Sequence, residues 1–140
     1  MTFFRDAYGD FEPFDDDYEN DNTEALLEYL RERGFDVEGQ PFLGKYGRPD
    51  GQIHRHSMGI KVFKDFIEAK STLTSRAELE RLKTQIVKYY KSGRFVGGRI
   101  FIYGDADEEL LEDLNEFCFW FSTRYVVPFG IRVHPCCDTL

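Results

Sequence analysis

The chain is predicted to be an α/β domain built on a mixed central sheet with helices on both faces. Three observations lead there. Residue patterns run in the order α-β-β-β-α-β-α-β, so a meander of strands gives way to strand–helix alternation. The 140 residues are 41% hydrophobic and 16% aromatic, enough for one core without disulfide or metal support. No apolar run nears the roughly 18 residues of a membrane span. "FCFWF", at 117–121, is only five long. The start, "MTFFRDAYGD", lacks the basic and apolar regions of a secretory signal. An intracellular, cytoplasmic location without a membrane partner is therefore expected.

Residues 1–21 carry six aromatics (Phe3, Phe4, Tyr8, Phe11, Phe14, Tyr18) among acids and have neither helical nor strand period. They read as an extended arm, either a solvated tail or a segment whose aromatics dock; residues 22–140 then form the single domain. The first helix is "TEALLEYLRERG". Asn22 or Thr23 can cap it, Leu26, Leu27 and Leu30 make its stripe, and Gly34 suits its end. "FDVEGQPFL" (35–43) reads as a strand, with Phe35 and Val37 in alternation. "GKYGRPDG" (44–51) is a turn-rich loop leading into "DGQIHRH", a strand with one wet face. His54 and His56 alternate there toward solvent or a phosphate, in preference to a metal pair.

"KVFKDFIEAKS" (61–71) is the next strand. Phe66, Glu68 and Lys70 point to one face, and Ile67, Ala69 and Ser71 to the other. "SRAELERLKTQIVKYYKSG" follows as a helix with a Ser75–Glu78 capping box, Leu79, Leu82, Ile86 and Tyr89 at helical spacing, and Gly93 as its stop. "GGRIFIYG" is a short buried strand. "DADEELLEDLNEFCFWF" is a second strong helix, with Asp105 as its cap and a core face of Leu110, Leu111, Leu114, Phe117, Cys118 and Phe121. "RYVVPFGIRVHP" holds a final strand or two.

The net charge of −8 is unevenly spread. Residues 1–24 hold nine acids and one base, 25–104 nine acids and fifteen bases, and 105–116 seven acids and no base. The middle of the chain is basic, and the local field governs what binds there. Acids at the start of the helix from 105 also favour its dipole. The cysteines are Cys118, Cys136 and Cys137. An odd count with no signal peptide points to a reducing compartment. A zinc site from Cys118, His134, Cys136 and Cys137 lacks any CxxC spacing, and plain thiols are the better reading.

Asp50 lies just after a tight turn at the head of one strand, and Glu68 and Lys70 share a face of the next. If those strands are neighbours, the three converge at one end of the sheet. Two facing carboxylates repel unless a cation sits between them. Mg²⁺ suits that place, being hard, oxygen-loving and content to keep waters. The Lys70 ammonium can orient or activate a water, or stabilise charge on a phosphate. These parts fit phosphodiester hydrolysis. Taken singly, Glu68 and Lys70 are also an ordinary strand pair, Asp50 a turn residue, and Gln85 and Tyr89 helix surface and core edge.

"PD" (49–50) followed by "EAK" (68–70) resembles the PD-(D/E)xK nuclease superfamily, whose restriction-endonuclease-like α-β-β-β-α-β core matches residues 22 to 104. Gln85 and Tyr89, in "QIVKY", are similar to the Q-x-x-x-Y motif of its RecB-like branch, as Gly47 to Asp50 is to that branch's G-x-x-D. The resemblance implies a Mg²⁺- or Mn²⁺-dependent deoxyribonuclease, more an endonuclease than an exonuclease, acting on DNA. It implies Asp50, Glu68 and the carbonyl of Ala69 as metal ligands and Lys70 as catalytic. Gln85 and Tyr89 would support the site or position DNA. Glu24 or Glu28 would fill the acidic role found on the first helix of many members. The opening is also similar to that of archaeal Holliday-junction resolvases, with Thr23 rather than Glu24 at their acidic position. Relatives with an iron–sulfur cluster use four cysteines, and three here do not reproduce it.

Small members of this group are commonly restriction, repair, junction-resolving or virus- or mobile-element-encoded enzymes, and often homodimers. The alternative is a non-enzymatic binding or inhibitory protein on a nuclease-like fold, its acidic arm occupying the basic face of a nucleic-acid-binding partner. A third reading is a nuclease whose arm blocks its own basic groove until DNA displaces it.

Overall fold

In the computed structural model the described residues are 19–57, 60–127 and 129–133. Helix α1 (Glu19–Glu32) leads into β1 (Asp36–Gly39), a 3₁₀ turn (Gly44–Tyr46), β2 (Gly51–Ser57) and β3 (Ile60–Lys70). Helix α2 (Arg76–Lys91), β4 (Gly97–Ile102), α3 (Glu108–Tyr125) and β5 (Phe129–Val133) complete the order. The five strands lie in one sheet in sequence order. β1, β2 and β3 pair antiparallel, whereas β3, β4 and β5 are parallel. Each parallel step needs a long crossover, which α2 and α3 supply. The result is the expected mixed α/β sheet flanked by helices.

The alternation along β3 separates two cores. Phe66 faces a cluster with Leu79, Leu82, Ile86 and Tyr89 of α2 and Leu114, Cys118 and Phe121 of α3. Ile67 and Ala69 face Leu26, Leu27 and Leu30 of α1. Gly98, beside Phe66 in the register, has no room for a side chain, because a Cβ there would stand 2.2 Å from the Phe66 ring. That space lets Phe66 lie edge-on to Phe95 and Phe129 and 5.1 Å from the Tyr89 ring. Asp65 and Arg99 pair at 3.1 Å, both buried. Arg99, one of the bases of the middle segment, is therefore withdrawn from the surface field.

Several boundaries differ from the sequence reading. α1 begins at Glu19, inside the predicted arm, so Thr23 is a buried residue within the helix and not its cap. The strand predicted over 35–43 stops at Gly39, and the chain turns through Gln40, whose φ is +42°. α3 is capped by Asp107, not Asp105: its carboxylate accepts from the N–H groups of Glu109 and Leu110 at 3.0 and 3.4 Å. The helix also runs on to Tyr125. His54 is not solvent-facing; it is buried, with Nδ1 3.5 Å from Asp36 Oδ2. The side chain of His56, residues 1–18 of the arm, and His134, Cys136 and Cys137 lie outside the described residues. Cys118 is a core thiol, pushed up to about 12 by burial. No helix is long and apolar enough to cross a membrane, among the described residues.

α3 ends with Val126 in the left-handed region (φ 56°, ψ 49°), 86% exposed. A β-branched residue there clashes with its own backbone, costing about 1–2 kcal/mol relative to glycine. Val126→Gly gives back part of this as unfolded-chain entropy, so a net gain of about 0.5–1 kcal/mol is expected. Chemical denaturation of the two proteins measures it, and a loss of stability would show that Val126 is held by contacts.

Candidate active site

β3 outruns β2. The last register pair between them is Gly51 with Ile67, so Glu68, Ala69 and Lys70 extend beyond the partner strand while still pairing with β4 through Lys70 and Ile102. A buried N–H without a partner is costly. The Ala69 N–H, which β2 would otherwise have met, donates to Asp50 Oδ2 at 2.7 Å. The Asp50 N–H in turn donates to Glu68 Oε1 at 3.3 Å. Asp50, just ahead of β2, and Glu68 of β3 are thereby locked together.

Glu68 is 2% exposed and has a partner on each oxygen. Tyr89 donates its hydroxyl to Oε1 at 3.2 Å, and the Lys70 ammonium sits 2.9 Å from Oε2. Burial raises the Glu68 carboxyl above its ordinary value of 4.5, while the Lys70 charge and the bonds from Lys70, Tyr89 and Asp50 pull the other way. Burial, and then the Glu68 charge, push the Tyr89 hydroxyl up as well, so it stays a donor. Lys70, the last residue of β3, is half-buried and reaches the cleft formed by Ser71, Thr72, Glu78 and Arg81.

Gly47 sets up Asp50. Its φ of 96° and ψ of −162° belong to a region open essentially to glycine alone. A Cβ there would lie 3.6 Å from Tyr89 Cε1, so the turn rests on the ring that holds Glu68. Gln85 lies one turn before Tyr89 on α2, and its Oε1 is buried without a hydrogen-bond partner among the described residues. Nothing bonds it to Glu68.

The first helix reaches the site from the other side of the sheet. Thr23, Glu24 and Glu28 line a cleft of about 550 Å³ that Asp50 also lines. Glu28 is tied to Arg31 at 2.6 Å, while Glu24 is exposed. Thr23 Oγ1 is buried with no hydrogen-bond partner among the described residues. Asp50, Glu68, Ala69, Lys70 and Tyr89 are thus brought together by direct bonds, Glu24 joins through the cleft, and Gln85 stands apart. The Asp50 bond to the Ala69 backbone has no sequence motif of its own. The only signal is that the pattern of β3 is longer than that of β2.

No group of three His, Cys, Asp or Glu residues able to hold a metal occurs among the described residues. The fit is to a cation that needs fewer protein ligands. Asp50 and Glu68 offer hard oxygens beside the Ala69 backbone, and Mg²⁺ is commonly held by one or two carboxylates with waters and phosphate oxygens filling the rest. The donor set therefore suits Mg²⁺ or Mn²⁺.

The raised Glu68 carboxyl has a consequence for stability. Above 4.5 the unfolded chain releases this proton while the native chain retains it, so the native state loses stability as pH rises toward the raised native value. Glu68→Gln escapes that loss. Without divalent cations, its melting temperature should match wild type near pH 4 and exceed it increasingly as pH rises above that. A Gln variant that melts lower at pH 7 would mean that the Lys70–Glu68 pair outweighs burial.

No protein-family model matches the chain, and no characterised protein or solved structure matches it either.

Proposed function

We propose that the protein is a Mg²⁺- or Mn²⁺-dependent deoxyribonuclease of the PD-(D/E)xK type, cutting DNA internally on a restriction-endonuclease-like core. The observation that carries this reading is the locked pair of Asp50 and Glu68 with Lys70 on the same carboxylate. The order α-β-β-β-α-β, with the pair at the open end of β2 and β3, adds to it. A homodimer that places two such sites on two strands, in an intracellular setting, belongs to the same proposal.

Asp50, Glu68 and the Ala69 carbonyl are the groups that would hold the cation. When bound, it supplies Lewis-acid polarisation of the phosphate and a water of lowered pKa. The remaining work falls to the protein. Lys70 lies within reach of both Glu68 and the adjoining cleft, so its ammonium can turn toward a phosphate oxygen and stabilise the charge that grows there. Tyr89 fixes the Glu68 rotamer by its hydrogen bond. Gly47 fixes the turn that aims Asp50. Glu24 adds negative charge at the edge of the Asp50 cleft, suited to a second cation or a water.

The test is cleavage of single-stranded, duplex and branched DNA with Mg²⁺, with and without EDTA. Lys70→Ala should lower cleavage by at least about 100-fold and leave DNA affinity within a few-fold, because affinity comes from many basic contacts. Equal loss of both would make Lys70 an ordinary phosphate contact. A chain that cuts nothing with any divalent cation, yet binds a nucleic-acid-binding protein through its acidic segment, would be the inhibitory protein instead.

Residues 1–18 hold six acids and one base. Tethered acids beside a basic segment act at an effective concentration on the order of millimolar for a short flexible linker. They should compete with DNA phosphates. Because α1 starts at Glu19, the truncation that tests this removes 1–18 and not 1–21, which would shorten the helix. Its DNA affinity should exceed that of the full chain at low salt, with the gain shrinking as salt rises. No gain at low salt would leave the acids with another task.

A further inference from the structure

The segment between β1 and β2 is a closed loop whose exit is Asp50. The Gln40 N–H donates to the Asp50 carbonyl at 3.0 Å and joins its ends. Inside, Leu43 donates to the Gly47 carbonyl at 3.0 Å and Tyr46 to the Leu43 carbonyl at 3.3 Å. Pro41 and Pro49 are buried, and Leu43 packs against the core of α2 and α3. The loop is anchored, yet Phe42 is 69% exposed. The Arg48 guanidinium lies 5.3 Å from the Phe42 ring centroid, covering one face. Lys45 stands 5.2 Å from the Tyr46 ring, and both cations are exposed. Residues 40–49 contain two bases and no acid.

An exposed aromatic ring on a rigid, purely cationic loop has a specific physical use. Nucleic-acid bases stack on such rings, and cations beside them take the phosphates. A base within a duplex already has both faces covered by its neighbours, so only an unpaired base can give its face to Phe42. Among the described residues the other exposed aromatics, Phe119, Trp120 and Tyr125, lie on α3 and not on a cationic loop. Arg124 stands 5.7 Å from the Tyr125 ring, but the helix also carries Glu108, Glu109, Glu112, Asp113 and Glu116, which would repel a polyanion.

We infer that the loop 40–49 holds an unpaired nucleotide of single-stranded DNA next to Asp50, with Phe42 as the stacking face and Arg48 and Lys45 on the flanking phosphates. The inference rests on the nuclease reading for the role of Asp50, and it narrows the substrate to DNA with an unpaired segment.

Binding is measured in EDTA, so that no cleavage enters, with a fluorescent oligo(dT) and a duplex of the same length. Phe42→Ala should weaken binding to the single strand by about 5- to 100-fold, as the loss of one stacked base does, and change duplex binding less than twofold. Arg48→Gln should lower the slope of log affinity against log salt by about 0.7 on the single strand, one phosphate contact. Phe42→Trp gives a second readout: its fluorescence above the wild-type Trp120 background should be quenched by oligo(dT) and not by duplex. Equal losses on both DNAs for Phe42→Ala, no loss on either, or an unquenched Phe42→Trp would overturn the inference. The two proposals separate cleanly. If this binding pattern appears and no DNA is cut with Mg²⁺, the loop's role stands and the nuclease reading falls. If DNA is cut and Phe42→Ala binds as wild type, the nuclease reading stands and the loop's role falls.

Discussion

Three residues of β3 run past the end of β2, and the backbone they expose has to be satisfied on that side by something other than a strand. Asp50 does it. Its carboxylate takes the Ala69 N–H and its own N–H is given to Glu68, so one residue completes the ladder and fixes a second carboxylate. Everything else at this end of the sheet follows from that substitution of a side chain for a strand. Had β2 continued for three more residues, Glu68 would sit beside an ordinary strand partner and the cleft would be closed.

The arrangement works against stability. A carboxylate as buried as Glu68 prefers its neutral form, and the groups around it only partly offset that preference. The turn before Asp50 needs a glycine in a conformation other residues avoid. Gln85 buries an oxygen with no partner among the described residues. A sheet end selected for stability alone would be filled with apolar side chains, as the remainder of the α2 and α3 face is. Costs concentrated in one place mark this end of the sheet as the candidate site.

Much of this was legible in the sequence. The alternation in "FIEAKST" gave the faces of Glu68 and Lys70, because the period of a strand is strict and the face of Phe66 had to be apolar. The Ser75–Glu78 box placed α2, and the structure has Ser75 Oγ accepting the Glu78 N–H at 3.2 Å. What misled was local chemistry overruled by tertiary contact. Thr23 is a good cap by type, but it is drawn into the helix where α1 packs on the sheet. Asp105 and Asp107 are equally good caps by type. Leu73 bonds to both, donating to the Asp105 carbonyl at 2.9 Å and accepting the Asp107 N–H at 2.8 Å, so the helix starts only after this bridge and Asp107 caps it. His54 is polar by type in "QIHRH", yet it is buried on a strand paired on both sides, opposite Asp36 of β1 and Lys64 of β3, a pairing that its own stretch does not report.

Asp50 also joins the two faces of the sheet. Ala69, which it holds through Oδ2, belongs to the face covered by α1. Glu68, which it holds through its N–H, belongs to the face covered by α2, where Tyr89 meets it. The cleft carrying Thr23 and Glu24 opens on the first side, and the one carrying Lys70 and Arg81 on the second. Neither helix alone could build a site with groups from both layers, since a sheet separates them along most of its length. They can meet only at the strand ends, where the sheet stops, and β3 stops there later than β2. The position of the Asp50–Glu68 cluster is thus a consequence of unequal strand lengths, and the loop that leads into Asp50 is tied to it by the Gln40 hydrogen bond.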